Sequence, residues 1–423
     1  MLISANRHFN SSVAHMFQRE TKNRHFCFAC SVLHRGAQSV CLFLCEKACM
    51  RVYSVSLAVL QVRFALKECM MNSLTKERIV LVVCGVLAAA VAIVLASNGN
   101  PGNMAICIAC FIRDSAGALK LQTNETLQYL RPEIIGIIVG ACIMAFAGKE
   151  FKASAGSSPF TRFVLGFVMM IGCLIFLGCP LRMVLRMAAG DLNAWVALPG
   201  FALGILTGVF FLKRGFSLGR AESVKAGEGL ALPAIVAVLF VLSVTTTLFA
   251  VSQSGPGSMH APVVLSIIGG ILFGALAQRS RLCFAGGLRD TFLVRDGWGL
   301  VIIGILFAGV LVYNLVNGSF NLSFADQPIA HSEVLWNVLG MYVVGFAATL
   351  LGGCPLRQLV LAGSGSGDAA VTFMGLLVGA AFAHNFGLAS SAKGTTEAGQ
   401  IATIVCIVVL FIIAAINLKR ARG

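Results

Sequence analysis

The sequence predicts an all-α polytopic membrane protein, and three observations carry that prediction. Of 423 residues, 58% are hydrophobic and only 12% are charged, about half the charged fraction of an ordinary globular domain. Apolar runs long enough to cross a bilayer recur along the chain. The net charge of +15 is not gathered into any basic run of useful length. Together with 45 glycines, this composition excludes a soluble enzyme, a disordered chain and a nucleic-acid binder. The 15 cysteines are too sparse, and too embedded in apolar sequence, for a secreted disulfide framework.

The first 70 residues differ from the rest. They hold six of the 15 cysteines, four of the seven histidines, and nine Lys/Arg against three Asp/Glu. Their longest apolar stretch, Val52 to Leu66, is broken by Arg63 and is too short to span. No signal-peptide pattern is present. Cys27-Phe-Ala-Cys30 has metal-like spacing, yet no second pair completes a zinc site. From Met71 the text turns into a short polar start followed by a clean span. Residues 1–70 are therefore expected to be an over-extended start, with Met70 or Met71 the initiator; a metal-binding or regulatory arm is the alternative.

From Met71 onward, spans are expected near 79–97, 133–148, 163–178, 194–212, 229–251, 262–277, 299–317, 334–351, 370–386 and 400–417. Each approaches the roughly 17–25 apolar residues that a membrane helix needs. Four stretches between them, 103–121, 179–192, 279–296 and 353–369, are neither polar loop nor full helix and read as short re-entrant segments.

Those four stretches repeat in pairs. Cys107-Ile-Ala-Cys-Phe-Ile-Arg113-Asp114 matches Cys283-Phe-Ala-Gly-Gly-Leu-Arg289-Asp290 at an offset of 176, and Gly178-Cys-Pro-Leu-Arg182 matches Gly353-Cys-Pro-Leu-Arg357 at an offset of 175. Gly190-Asp191 and Gly367-Asp368 follow, then Gly200/Gly204 and Gly375/Gly379. Two motifs in one order at nearly equal separation mark an internal duplication, with one repeat over 71–251 and the other over 252–423. With the Met71 end cytoplasmic, 17 Lys/Arg fall on the cytoplasmic side and six on the other, satisfying the positive-inside rule. Five spans per repeat is an odd number, so the halves are expected to be inverted. Broken helices in inverted repeats are a secondary-transporter plan, with the solute path where the repeats meet.

The chemistry sits in the interruptions. In Gly-Cys-Pro-Leu-Arg the proline suits the first helical position, which puts Cys179 and Cys354 at helix caps. There, free amides favour a thiolate or a bound anion. Arg182 and Arg357 add positive charge one turn on. The bland alternative is a small buried cysteine before a structural proline. Arg113–Asp114 and Arg289–Asp290 are costly at membrane depth unless paired or facing water, and read either as pathway groups or as local ion pairs pinning the re-entrant loops. Asp191 and Asp368 are expected to terminate the short helices. Cys107-Ile-Ala-Cys110 is a CxxC that could be redox-active; the second copy has Gly286 instead. Cys84, Cys142, Cys173 and Cys406 have no motif and read as packing. Gly363-Ser-Gly-Ser-Gly-Asp368 reads as a tight turn, since no Lys-Ser/Thr follows as in a P-loop. His331 and His384 read as structural. Soft thiols suit sulfur- or selenium-bearing solutes better than oxyanions such as sulfate. No ATPase, cofactor or metal-site signature is present.

These same residues carry a resemblance. Gly99-Asn-Pro-Gly-Asn-Met-Ala-Ile-Cys-Ile-Ala-Cys110, the two Gly-Cys-Pro-Leu-Arg motifs, Gly255-Pro-Gly-Ser-Met-His260, Gln278-Arg-Ser-Arg-Leu-Cys283 and Ala383-His-Asn-Phe-Gly-Leu-Ala-Ser390 resemble the YeeE/YedE sulfur-transport family. They are most similar to its YedE-type branch, described as selenium transporters. The resemblance covers about 71–420. It implies a bacterial inner-membrane protein with two pseudo-symmetric halves, N- and C-termini cytoplasmic, and thiosulfate passed along pore cysteines in characterised members. Carried over by motif, the candidates are Cys107, Cys179, Cys283 and Cys354; the doubled Cys107/Cys110 leaves open which thiol lines the outer constriction.

The expected function is secondary or facilitative import of a selenium- or sulfur-containing solute. It would enter past Cys107/Cys110, be handed between Cys179 and Cys354, and leave past Cys283. The expected partners are that solute, the lipid bilayer and a cytoplasmic selenium- or sulfur-carrier protein; no enzyme activity is expected. Thiosulfate or sulfide uptake is the nearest alternative. A membrane thiol oxidoreductase or sulfurtransferase using Cys107–Cys110 is a rival from another class, and a scaffold binding a carrier through the basic 213–225 loop is a third.

Overall fold

The computed structural model describes residues 76–418; the expectations for residues 1–70 lie outside that range. The chain is built from helices, in order α1 (Lys76–Ser97), α2 (Ile108–Ala118), α3 (Pro132–Ala147), α4 (Pro159–Phe176), α5 (Pro180–Ala188), α6 (Leu192–Lys213), α7 (Ala226–Thr245), α8 (Val263–Ser280), α9 (Phe284–Val294), α10 (Trp298–Val316), α11 (Val334–Leu351), α12 (Pro355–Gly363), α13 (Gly367–Asn385) and α14 (Glu397–Ile416). Among the described residues, 10 helices are long and apolar enough to cross a membrane. The protein is an all-α polytopic membrane protein, apart from a two-residue ribbon in which Ser154–Ala155 pairs antiparallel with Glu222–Ser223.

The expected spans coincide with α1, α3, α4, α6, α7, α8, α10, α11, α13 and α14, and the four interruptions hold the short helices α2, α5, α9 and α12. Proline opens α3, α4, α5 and α12. At the first helical position its missing N–H leaves no bond unmade and its fixed φ already suits a helix. One expected span is too long: 229–251 ends as a helix at Thr245. Thr246 turns extended at φ −134°, ψ 163°, and the chain beyond bonds elsewhere, Ala250 N–H to the Ala118 carbonyl and Ser252 N–H to that of Gln128. Three successive β-branched threonines lose side-chain freedom in a helix, so the run gives way there.

Packing pairs off under exchange of the two halves. Helix α6 lies along α11 and α13 along α4; α4 and α11 pack on each other at the centre. Likewise α3 contacts α12 while α5 contacts α10, and α2 contacts α13 while α6 contacts α9. The closest approaches repeat with the sequence offset. A Cβ added at Gly200 would strike the Val338 carbonyl, and one at Gly375 would strike the Phe163 carbonyl. Gly204 meets Tyr342 as Gly379 meets Phe167, each partner again 175 residues apart. Small residues let helix backbones approach this closely within a bilayer, where burial from water supplies no drive.

The reading of Asp191 and Asp368 as equivalent helix terminators needs correction. Asp191 is the N-cap of α6, accepting from Asn193 N–H, and the N-cap of α13 is Ser366, accepting from Ala369 N–H. The glycines before them, Gly190 (φ +91°) and Gly365 (φ +102°), make the same left-handed turn. The equivalent pairs are thus Gly190-Asp191 and Gly365-Ser366, and Gly367-Asp368 lies two residues out of register. Asp368 instead accepts from Gly156 and Ser157 N–H at 2.9 and 3.1 Å and faces Arg162 at 3.5 Å. Of the segment 363–368 expected to be a tight turn, residues 364–366 make the turn, and Gly363 and Gly367–Asp368 belong to the helices on either side.

Candidate substrate pathway

Each half brings two cysteines together at the starts of its two short helices. Cys107 caps α2, its sulfur accepting from Cys110 N–H at 3.4 Å. Cys179 precedes Pro180 at the start of α5, and the Cys107 and Cys179 sulfurs are 4.0 Å apart. In the second half Cys283 caps α9, accepting from Gly286 N–H at 3.1 Å. Its sulfur is 3.8 Å from that of Cys354, which precedes Pro355 at the start of α12, and it accepts from Cys354 N–H at 3.5 Å. All four cysteines are buried. The expected hand-over directly from Cys179 to Cys354 is not what the geometry pairs: the close contacts run within each half, and among the described residues none in hydrogen-bond range joins Cys179 to Cys354.

Cys110 belongs to the first pair's surroundings. Its thiol donates to the Leu177 carbonyl at 4.0 Å and stands 3.6 Å from an Arg182 guanidinium nitrogen. Arg182 is fully buried, and it donates to the carbonyls of Leu177, Asn103, Pro328 and Ile329. Leu177 holds a left-handed conformation at φ 59°, costly for a bulky residue; Gly352 occupies the equivalent place in the second half at φ +81°. Arg357, the counterpart of Arg182, has a buried guanidinium nitrogen, Nη1, with no hydrogen-bond partner.

The Arg-Asp pairs also differ between halves. Arg113 and Asp114 form a buried ion pair at 2.7 Å, whereas Arg289 and Asp290 pair at 2.8 Å with 22% and 41% of their side chains exposed. Sequence reasoning missed Arg131, which donates to the other Asp114 oxygen at 2.9 Å and to the Pro256 and Met259 carbonyls. Its guanidinium lies over the rings of Phe111 and Tyr129, and Tyr129 stacks on His260 at 4.1 Å. Arg186 was missed as well; it pairs with Asp191 at 2.6 Å, fully buried. A fully buried arginine always has a structural or functional reason, but whether a charge is buried is set by packing that a single sequence does not display.

His331 Nε2 donates to the Ile175 carbonyl at 2.8 Å, and its Nδ1 accepts from Glu333 N–H at 3.3 Å. His384, in the last turn of α13, has its Nε2 buried without a hydrogen-bond partner. Cys84, Cys142, Cys173 and Cys406 are buried packing residues. Among the described residues no His/Cys/Asp/Glu cluster could hold a metal ion.

A family model described as sulphur transport matches residues 1–207 and 279–419. The chain belongs to the sulphur-transport family. This agrees with the YeeE/YedE resemblance of its motifs, and the matched range begins within the leading segment that composition sets apart. Two curated relatives are both named thiosulfate transporter TsuA. The one from Escherichia coli (strain K12) is 29% identical over 109 residues, 25% of this chain and 30% of that protein. The one from Spirochaeta thermophila is 28% identical over 110 residues, 25% of this chain and 32% of that protein. The alignments thus span about a third of each relative's length.

Family motifs also explain the scaffolding around the thiols. Asn100 accepts from Ala261 N–H and donates to the Ala105 carbonyl and to Glu133, tying the segment before Cys107 to the one after His260. A Cβ at Gly99 would lie 2.8 Å from the His260 carbonyl oxygen. Asn385 donates to the Leu121 carbonyl at the far end of α2.

Proposed function

We propose that the protein is a secondary or facilitative transporter that imports a sulfur-containing solute, with thiosulfate the first candidate. The observation that carries this reading is the pair of apposed buried thiols in each half, built at the caps of interrupted helices. Thiols are weak donors and soft, polarizable acceptors, suited to holding a terminal sulfur loosely enough to release it. The solute passes Cys107 and Cys179 in one half and Cys354 and Cys283 in the other, with Arg113–Asp114 and Arg289–Asp290 at the flanks. The exchange of packing partners between halves supports inverted repeats, and the 17-to-6 distribution of Lys/Arg supports cytoplasmic termini in the inner membrane.

A selenium-bearing solute is the second reading, supported by the resemblance of the Gly99–Cys110 and Gly-Cys-Pro-Leu-Arg motifs to the YedE-type branch. Selenium chemistry is close enough to sulfur chemistry that the same thiols would serve. The test is uptake into proteoliposomes of purified protein from a panel of thiosulfate, sulfide, selenite and selenide. Thiosulfate flux supports the first reading and selenium flux alone the second. No flux, with a mixed disulfide or persulfide trapped at Cys107 or Cys110, favours the oxidoreductase or sulfurtransferase class.

A further inference from the structure

The two halves repeat the same Cys-Pro-Leu-Arg motif but use its arginine differently. Arg182 spends its donors on four backbone carbonyls drawn from three segments, the 103 loop, the end of α4 and the 328–329 loop. Arg357 makes none of the corresponding bonds: its Nη1 is buried without a partner, and among the described residues no carboxylate forms an ion pair with it. Arg357 as a whole is half-buried, and its one buried donor left unmade is costly. Arg357 stands in the first turn of α12, three residues after Cys354, its stem packed on Gly353.

The two halves also differ by one side chain beside the first cysteine of each pair. Where the first half has the Cys110 side chain, the second has Gly286, and a Cβ there would be 3.2 Å from the Cys283 sulfur and 4.0 Å from an Arg289 guanidinium nitrogen. A cavity of about 320 Å³ is lined by Arg162, Arg289, Asp290 and Gly352, and neither thiol of the pair nor Arg357 lines it. The second thiol pair therefore has a cation with an unmade donor one helical turn from Cys354, while the arginine of the first pair is fully engaged.

We propose that Arg357 is a specificity-determining residue, binding the oxyanion end of the transported solute while Cys283 and Cys354 hold its terminal sulfur. Arg182 is a strut that closes the first half around Leu177. The proposal rests on the transport reading and adds a requirement to it: a solute with both a soft sulfur and oxyanion oxygens is held at two ends. Sulfate lacks the soft end and hydrosulfide lacks the oxygens. A planar guanidinium fork recognises an oxyanion through two parallel bonds, which a lysine does not reproduce.

The test measures radiolabelled thiosulfate binding to detergent-purified protein, beside thiosulfate and sulfide uptake in proteoliposomes, for wild type, R357Q, R357K and R182Q. The expected result for R357Q is thiosulfate affinity weakened by about tenfold or more, as loss of a charge-assisted bond implies, with sulfide uptake retained and a monodisperse gel-filtration peak. R357K should recover part of the affinity, and R182Q should lower thermal stability more than R357Q does. Unchanged thiosulfate affinity in well-folded R357Q overturns the proposal, as does equal loss of thiosulfate and sulfide uptake. Wild type that binds thiosulfate through Arg357 but carries no flux would instead remove the transport reading and leave the site.

Discussion

The sulfur of Cys283 lies 3.8 Å from that of Cys354, across 71 residues of chain, and each of the two heads a short helix inside a membrane-length run. The first half repeats the arrangement with Cys107 and Cys179 at 4.0 Å, 72 residues apart. Apposition of this kind depends on two interrupted helices pointing their starts at one place, and the Cys-Pro dipeptide makes one of those starts.

Both thiol pairs are within reach of oxidation. A disulfide needs sulfurs at about 2.05 Å, so a small approach suffices. Diamide should remove one hydrogen from each thiol of a pair, join the two sulfurs and itself be reduced to the hydrazine. Peptide mapping should then show Cys283 linked to Cys354, and uptake should fall and return with dithiothreitol. Oxidation that leaves all four thiols free in native protein would contradict the apposition.

The buried ion cluster around Asp114 should be far more sensitive than its exposed counterpart. Asp114→Asn leaves Arg113 and Arg131 buried with no carboxylate, and breaking such a pair costs about 3–5 kcal/mol. Asp290→Asn acts on a partly exposed pair, where about 0–1 kcal/mol is usual. Thermal unfolding in detergent, followed by gel filtration, should show a large loss for the first and little change for the second.

Close helix approach at Gly200 and Gly375 should make both positions intolerant. Gly200→Val or Gly375→Val forces side-chain atoms into the Val338 or Phe163 carbonyl, and overpacking of this kind costs about 1–3 kcal/mol. Because the two contacts are equivalents, the two variants should lose similar amounts of folded protein. A marked difference between them would argue against equivalent roles for the α6–α11 and α13–α4 contacts.

Much of this architecture was legible in the sequence. Hydropathy located the spans, and the repeated cysteine motifs located the short helices, because both depend on local composition. The end of α7 at Thr245 was not, since the bonds that draw residues 250–252 away come from the distant Ala118 and Gln128. The Gly-Asp dipeptides misled by two residues, because a helix cap can be filled by Asp191 in one half and Ser366 in the other. Arg131 and the contrast between Arg182 and Arg357 were also hidden: identical motifs acquire different roles from loops, such as 328–329, that the motif does not contain.

The central claim is that the thiol pairs carry the solute. Its most direct test is uptake of radiolabelled thiosulfate by proteoliposomes containing purified wild type, Cys179→Ser or Cys354→Ser, with Cys406→Ser as a packing control. Wild type and the Cys406 variant should transport, and each pair variant should lose at least about 90% of the rate, a barrier increase of about 1.4 kcal/mol. Undiminished uptake in both pair variants would contradict the account.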